Sequence, residues 1–277
     1  MTRILQISDL HLMPEGALFQ GRVDTAQALR EMLSGLAGLL PAIGPVDRLV
    51  ISGDLTETGC DGAYARFRAV MEECPLPWRA IPGNHDSRDG VRALAPDAPW
   101  MPKRGPINWR EDLADLTLLG IDTLVDGAAH GALSADTLDW LSGTLTDLQD
   151  RQVLLFMHHP PCLTGITGMD DIGLAGGAQV AEVIAAHDGP LQIASGHIHR
   201  MMIGRFAGRQ VMIVPGTSHA VGLDLRGQAG LGFITGQRGA VLHVFERECQ
   251  SILISPEDFA APIPFDEGQA LNGARST

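Results

Sequence analysis

Long apolar runs are missing from this sequence. None approaches the roughly 18 residues of a membrane-spanning helix, so no membrane partner is expected. The first seven residues lack the basic segment, apolar stretch and small-residue cleavage site of a secretion signal, and run directly into a strand pattern. Cysteine is scarce as well. Cys60, Cys74, Cys162 and Cys249 are irregularly spaced with no C-x-x-C pair, which argues against a disulfide framework and fits reduced thiols in the cytoplasm. Positive charge is short: 20 basic against 33 acidic residues leave a formal net charge of −13. A surface that negative repels long polyanions, so no nucleic-acid polymer is expected as a partner. A small anionic substrate is not excluded. Bound metal ions dominate the field around them, and remote surface charge fades over roughly 8 Å at physiological salt.

What is present is the composition of one large α/β domain or two small ones, with 277 residues, 45% hydrophobic and 19% charged. Residues 3–7 read as a short buried strand. Val23, Ala26, Leu29, Leu33, Leu36 and Leu40 recur at helical spacing, predicting a helix over 24–40 that Pro41 and Pro45 end. Residues 48–52, 78–81, 115–121, 152–157 and 191–194 read as strands. Residues 61–73, 134–148 and 179–186 read as helices, with Ser134 as an N-cap. Residues 97–112, rich in Pro and Trp, show no assignable pattern, and 201–254 is β-rich with Gly turns. Alternating β and α units followed by several strands predict an α/β fold with two packed sheets and helices outside. Residues 1–255 are expected to form that domain, and 256–277 an extended, partly disordered tail.

Five short polar clusters each sit where a predicted strand ends. They are Ile7-Ser8-Asp9-Leu10-His11, Ser52-Gly53-Asp54-Leu55-Thr56-Glu57, Pro82-Gly83-Asn84-His85-Asp86, Met157-His158-His159-Pro160 and Ser195-Gly196-His197-Ile198-His199. Read as an extended segment, Asp9 and His11 project to the same side, and His197 and His199 repeat that spacing. Asp54 can bridge two ions because a carboxylate has two oxygens, while Asn84 offers a neutral oxygen and His158 an imidazole. Such a mixed oxygen and nitrogen set suits Mn, Fe, Zn or Co rather than Ca or a thiolate-loving metal. Gly53 and Gly83 are read as letting the backbone turn sharply beneath the ligands. Each cluster alone has an ordinary explanation as a cap, a turn or a packed histidine. The five together, in this order, do not.

The clusters resemble the D-x-H, G-D, G-N-H-(D/E), H and G-H-x-H blocks of the calcineurin-like metallophosphoesterase superfamily. The fuller spelling over residues 4–219, with His-His-Pro-Pro and Pro-Gly-Thr-x-His, is similar to its class III cyclic-nucleotide phosphodiesterase and glycerophosphodiesterase branch. Glu57 stands where that branch often has Asp. The resemblance implies a four-layer α-β-β-α sandwich of two mixed β-sheets, with a dimetal site at the strand C-terminal ends. It implies Asp9, His11, Asp54 and His199 on a first metal, and Asp54, Asn84, His158 and His197 on a second. His85 is then the unliganded histidine that gives a proton to the leaving oxygen. The implied reaction is attack of a hydroxide bridging two ions about 3.5–4 Å apart on the phosphorus of a small-molecule diester.

Other residues are weaker candidates. His159 is read as facing away or orienting a ligand, and His219 as orienting a ligand or facing substrate. Glu57 and Asp86 are read as hydrogen-bonding ligands or capping helices, and Arg22, Arg88 and Arg104 as candidates to touch phosphate. His130, His187 and His243 fall in no cluster, Cys162 reads as a packed thiol, and Trp100 and Trp109 as packing residues. The pocket walls are expected within 12–22, 86–110, 160–176 and 217–235, where basic residues are few; that favours a diester, such as a cyclic nucleotide or glycerophosphodiester, over a polyphosphate. A phosphomonoesterase or nucleotide pyrophosphatase on the same metals, and a non-catalytic interaction scaffold, are the alternatives. Homo-oligomer formation is compatible with the resemblance.

Overall fold

A computed structural model describes residues 1–246 and 249–263 of the chain. β1 (Thr2–Ile7) is followed by α1 (Thr25–Ile43), β2 (Arg48–Ser52), α2 (Asp61–Met71), β3 (Trp78–Ile81) and α3 (Arg88–Leu94). Next come β4 (Trp109–Asp112), β5 (Leu116–Ile121), β6 (Gly131–Ala132), α4 (Ala135–Thr146), β7 (Gln152–Met157) and α5 (Thr167–Asp170). Then follow β8 (Leu174–Ala175), α6 (Gly177–Ala185), β9 (Leu191–Ser195), β10 (Met202–Phe206) and β11 (Arg209–Ile213). β12 (Ala220–Val221), β13 (Phe233–Ile234), β14 (Ala240–Phe245), β15 (Cys249–Ile254) and a 3-10 turn at Pro256–Phe259 complete the described elements.

Two sheets carry the fold, one ordered β15-β14-β1-β2-β3 and one β10-β11-β9-β7-β5-β4. In the first, β1, β2 and β3 run parallel. In the second, β5, β7, β9 and β11 do so. The central strands are apolar on both faces because both faces are covered. On β7, Leu154 and Phe156 belong to the core shared with the first sheet, whereas Val153, Leu155 and Met157 pack with Leu141 and Leu145 of α4 and Val180 and Ile184 of α6. Burying each such side chain contributes roughly 1.5–3 kcal/mol. On the other side α1 and α2 add Leu29, Met32, Leu36 and Phe67 to the first core. The four layers are as expected.

A few polar groups bond to one another within this apolar interior. Gln6 donates to Ser52 Oγ at 2.8 Å and lies 2.9 Å from His243 Nε2, whose Nδ1 is 2.8 Å from Ser251 Oγ. Trp109 Nε1 of the second sheet donates to the Ala80 carbonyl of the first at 2.8 Å, so Trp109 is a packing residue. Trp100 stacks edge-on to Trp78 and Trp109.

Three expectations need correction. α1 does not end at Pro41 but continues to Ile43 and stops at Gly44, whose φ is +81°. Proline's fixed φ is helical, so it removes one donor from the last turn, while Ile43 still packs on the core. Within 97–112 the structure has β4, antiparallel to β5. Residues 256–259 are not an extended tail: Ser255 and Asp258 cap the 3-10 turn, and Phe259 sits where a Cβ on Gly35 of α1 would be. The rest of the expected tail, 264–277, lies outside the described residues.

Candidate metal centre

All five clusters follow the C-terminal ends of parallel strands, β1, β2 and β3 in one sheet and β7 and β9 in the other. The loops after β1 and β2 continue to pair beyond the sheet: Asp9 N donates to Gly53 O at 3.1 Å, and Leu10 N and His11 N donate to Asp54 O at 2.8 and 3.0 Å. The segment is not extended, contrary to the sequence reading. Asp9 (φ 54°), His11 (46°), Asp54 (49°), His197 (69°) and His199 (54°) all have left-handed backbone. Such conformations cost on the order of 1 kcal/mol each for residues with a Cβ and persist only where the surroundings hold them. Here the hold is visible: His197 N donates to the Asp9 carboxylate at 3.0 Å, His85 N to Asp54 Oδ1 at 2.9 Å, and Gly196 N to His158 O at 3.0 Å.

The glycines play different parts. Gly53 does turn, with φ +102°, and a Cβ there would overlap the His158 ring. Gly83 has no left-handed φ; it is needed because a Cβ would overlap the Asp54 carboxylate. Its role is close approach rather than a turn. Asp86 ties the same two loops together and caps no helix. It accepts from Leu55 N (3.0 Å), Thr56 N (3.1 Å) and Gly83 N (3.0 Å) and from the Tyr64 hydroxyl.

The donors fall into two groups sharing one carboxylate. Asp54 Oδ2 lies 3.4 Å from His11 Nε2 and 3.3 Å from His158 Nε2. On the first side, His199 Nε2 is 3.1 Å from His11 Nε2 and 3.4 Å from Asp9 Oδ1. On the second, Asn84 Oδ1 lies 3.2 Å from His158 Nε2 and 3.1 Å from His197 Nδ1. His197 and His199, two residues apart, are therefore divided between the two sides.

The outer nitrogens decide what faces inward. His11 Nδ1 is 2.6 Å from Glu57 Oε2, His158 Nδ1 is 2.9 Å from Ser52 O, and His197 Nε2 is 3.1 Å from Ile172 O. A carboxylate or carbonyl only accepts, so each of these nitrogens carries the N–H and the other presents its lone pair to the centre. With the rings neutral, the form that binds an ion, lone pairs of His158 and His197 face the amide oxygen of Asn84, and that of His11 faces Asp54. Acceptors converging on acceptors at such distances repel unless cations lie among them, so this donor set fits divalent metal ions.

Burial, reinforced by neighbouring histidines, holds His11 and His197 well below the usual imidazole pKa and His199 near 4. Burial raises Asp9 to about 7. Burial would likewise raise Asp54, but His158, His85 and His11 together hold it well below the usual carboxylate range. For His158 burial is outweighed by Asp54 and Asp9, and its pKa rises to about 9. Cations compete with protons for these groups, so metal binding here releases protons and weakens in acid.

His85 stands apart from the donors. Its Nδ1 is 2.9 Å from the Glu57 carbonyl, which fixes the N–H there and leaves Nε2 on the cavity side. Burial opposes its protonation, but Asp54 and Glu57 outweigh it and raise its pKa. His159, by contrast, has both nitrogens engaged, Nδ1 with Thr123 Oγ1 at 2.8 Å and Nε2 with Ala129 O at 3.1 Å. It packs against His197 at 4.5 Å between ring centroids and has no nitrogen left for an ion. His219 lines the cavity with its Nδ1 on Ser218 Oγ (2.9 Å) and its ring stacked on Phe19 at 4.2 Å.

The cavity over the centre, about 580 Å³, differs from the expected one in its cations. Arg22 and Arg104 are exposed away from it, and Arg88 is paired with Asp122 at 2.7 Å. Among the described residues no Lys or Arg lines it, and nothing from 88–110 reaches it. Phe19, Met169, Ile172, Leu231 and Phe233 fall in the expected wall segments 12–22, 160–176 and 217–235, but sequence reasoning singles out none of them, because isolated apolar residues in loops give no periodic signal. His187 and His243 are buried in the interior and His130 is exposed; none joins the centre. Cys162 packs against Gly204 of β10.

Comparison with known proteins agrees with this geometry. The family model for calcineurin-like phosphoesterases matches residues 2–201. A probable glycerophosphodiester phosphodiesterase GpdQ from Arcobacter nitrofigilis is 29% identical, covering 97% of this chain and 99% of the relative. A probable cyclic nucleotide phosphodiesterase from Synechococcus is 37% identical over 72% of this chain and 74% of that protein. Among solved structures, a dimetal phosphatase from Danio rerio superposes with a TM-score of 0.60 at 17% identity, covering 92% of this chain and 98% of that one, a likeness of fold.

Proposed function

The chain belongs to the calcineurin-like phosphoesterase family, and on that premise we propose that it is a metal-dependent phosphodiesterase acting on small-molecule phosphodiesters. The observation that carries this reading is the convergence of donor atoms from five loops around one carboxylate, Asp54, whose Oδ2 faces both His11 and His158, beneath an open cavity. We assign Asp9, His11, Asp54 and His199 to one ion and Asp54, Asn84, His158 and His197 to the other, with Mn, Fe, Zn or Co as the candidates. When bound, two such ions activate a water toward phosphorus and offset charge on the phosphoryl oxygens.

The chain's own groups do the rest. Glu57 accepts from His11 Nδ1 and fixes that ring. His85, its Nδ1 held by the Glu57 carbonyl, presents Nε2 for proton transfer to the leaving alkoxide, a step typically worth 10²–10⁴-fold. A cavity lined by no Lys or Arg among the described residues favours a diester monoanion over a monoester or a diphosphate, which places the phosphomonoesterase and pyrophosphatase readings second. A scaffold without turnover has no use for so many donors held in strained backbone. Relatives named as glycerophosphodiester and cyclic nucleotide phosphodiesterases point the same way. Residues 1–255 make up the catalytic domain in this reading. Four unpaired cysteines suit a reducing, cytoplasmic compartment.

Metal analysis and a substrate panel test this together. Protein reconstituted with Mn, Fe or Zn should hold about two equivalents and hydrolyse an aryl diester, cyclic nucleotides or glycerophosphodiesters faster than monoesters. Less than about one equivalent of metal would sink the two-ion centre. Monoester turnover exceeding every diester would move the assignment to the phosphomonoesterase reading.

A further inference from the structure

The cavity is polar on its floor and apolar on its wall, which is built from Phe19, Met169, Ile172, Val221, Leu231 and Phe233. The apolar surface continues beyond the mouth. Of the eleven exposed large apolar side chains among the described residues, Leu163, Leu223, Leu225, Leu231 and Ile234 lie on two segments, 163–172 and 220–234. These segments lean on each other. Leu225 comes within 3.5 Å of the Cβ position of Gly165, Leu231 within 2.8 Å of that of Gly168, and Thr167 within 3.1 Å of that of Gly227.

Both segments are built rather than loose. Asp224 accepts from Arg226 N (2.9 Å), Gln228 N (2.8 Å) and Ala229 N (2.6 Å), and Asp170 accepts from Thr164 N (2.8 Å) and Gly165 N (2.9 Å). β12 and β13 close the hairpin by pairing Ala220 with Ile234 and Val221 with Phe233. The two carboxylates are thus spent on backbone amides, and Arg226 is exposed outside the cavity lining. The leucines are held in water by ordered loops, in continuity with the catalytic cavity. Apolar surface that is contiguous and exposed in this way marks a place where something apolar binds.

Resting on the phosphodiesterase reading, we propose that the substrate is an amphiphilic phosphodiester. Its phosphate lies on the floor, and the alkyl or aryl chain of one ester group lies along Phe233, Leu231 and Leu225. Hydrolysis adds water across one P–O ester bond, leaving a phosphomonoester and an alcohol that takes up the proton. Apart from the Gln20 amide, the hydroxyl-rich arm of a polar diester finds no partner along the apolar wall and loses hydrogen bonds to water there. A fully buried methylene is worth about 0.8 kcal/mol, or about fourfold; along a track open on one side about twofold is expected.

The test is a series of 4-nitrophenyl alkyl phosphates, methyl to octyl, hydrolysed by the manganese-reconstituted enzyme. We expect kcat/KM to rise about twofold per methylene over the first several carbons. Leu225→Ser should lower the octyl-to-methyl ratio about fivefold, and that ratio is independent of how much of each sample is folded or metal-loaded. A flat series overturns the proposal. So does a flat series accompanied by self-association that Leu225→Asp abolishes, which would assign the rim to a second copy of the chain. Failure of a two-metal sample to hydrolyse even the methyl ester would instead overturn the phosphodiesterase reading beneath it.

Discussion

At the floor of the cavity, Asp9, His11, Asp54, His197 and His199 hold left-handed backbone, and their side chains and amides are cross-bonded between loops of both sheets. On the wall, Phe19, Leu231 and Phe233 meet by packing, with Phe19 and Phe233 edge to face at 5.2 Å. The contrast reflects what each surface must do. Ion coordination depends on position to a fraction of an ångström, so the floor is over-determined by hydrogen bonds, each of which can be broken singly. Apolar contact is non-directional, so the wall can be looser and still bind. Substitutions on the floor should therefore act on metal content or turnover, and those on the wall on substrate affinity.

The largest effect is expected from Asp54→Asn, which removes charge from the one carboxylate common to both sides. Both ions should bind more weakly and turnover should fall by at least about 10³-fold, as measured by metal analysis and diester kinetics. Retention of both ions at full strength would break the bridging role. His85→Ala comes next: metal content should stay near normal while kcat for a diester with a poor leaving group drops by about 10²–10⁴-fold. Equal activity on poor and good leaving groups would remove its proton-donor role. Glu57→Gln should weaken metal binding by about 10–100-fold through the His11 ring, visible in a chelator competition.

The wall should respond more gently. For Phe233→Ala we expect a rise in KM of a few-fold with kcat within about twofold, the sign of uniform binding. A tenfold loss in kcat with unchanged KM would show that the wall also positions the reacting phosphate. Acid should act on the buried interior as well. Burial holds His243, in the layer beneath the floor, near pKa 3 against an ordinary 6.5. The unfolded chain takes up that proton below 6.5 and the folded one only near 3, so stability falls as pH drops through this window. The loss is at most about 1.4 kcal/mol per pH unit for one such group. Urea midpoints of metal-free protein at pH 7 and pH 4.5 measure it, and His243→Gln should reduce the difference between them.

Much of this was legible in the residues because local chemistry writes itself locally. Ser134 does cap α4, accepting from Thr137 N, and the apolar runs before Asp9, Asp54, Asn84, His158 and His197 are strands. The errors arose where non-local packing overrode a local rule. Pro41 was read as a stop, yet α1 continues because its last residues still bury on the core. Arg22, Arg88 and Arg104 are plausible phosphate contacts by charge, but Asp122 takes Arg88 and none of the three lines the cavity.

The sequence by itself determined which atoms could bind metal, their order, and that each follows a strand. Those facts depend on residue type and on periodicities of two and 3.6, which are properties of neighbours along the chain. Only the tertiary structure decided that Asp54 Oδ2 faces both His11 and His158, that His197 and His199 part company, and that an apolar wall continues to Leu225. The physical reason is that these depend on sheet register and loop closure between segments far apart in sequence. β1, for example, is flanked by β2 and by β14 from the far end of the chain, and no local pattern records that pairing.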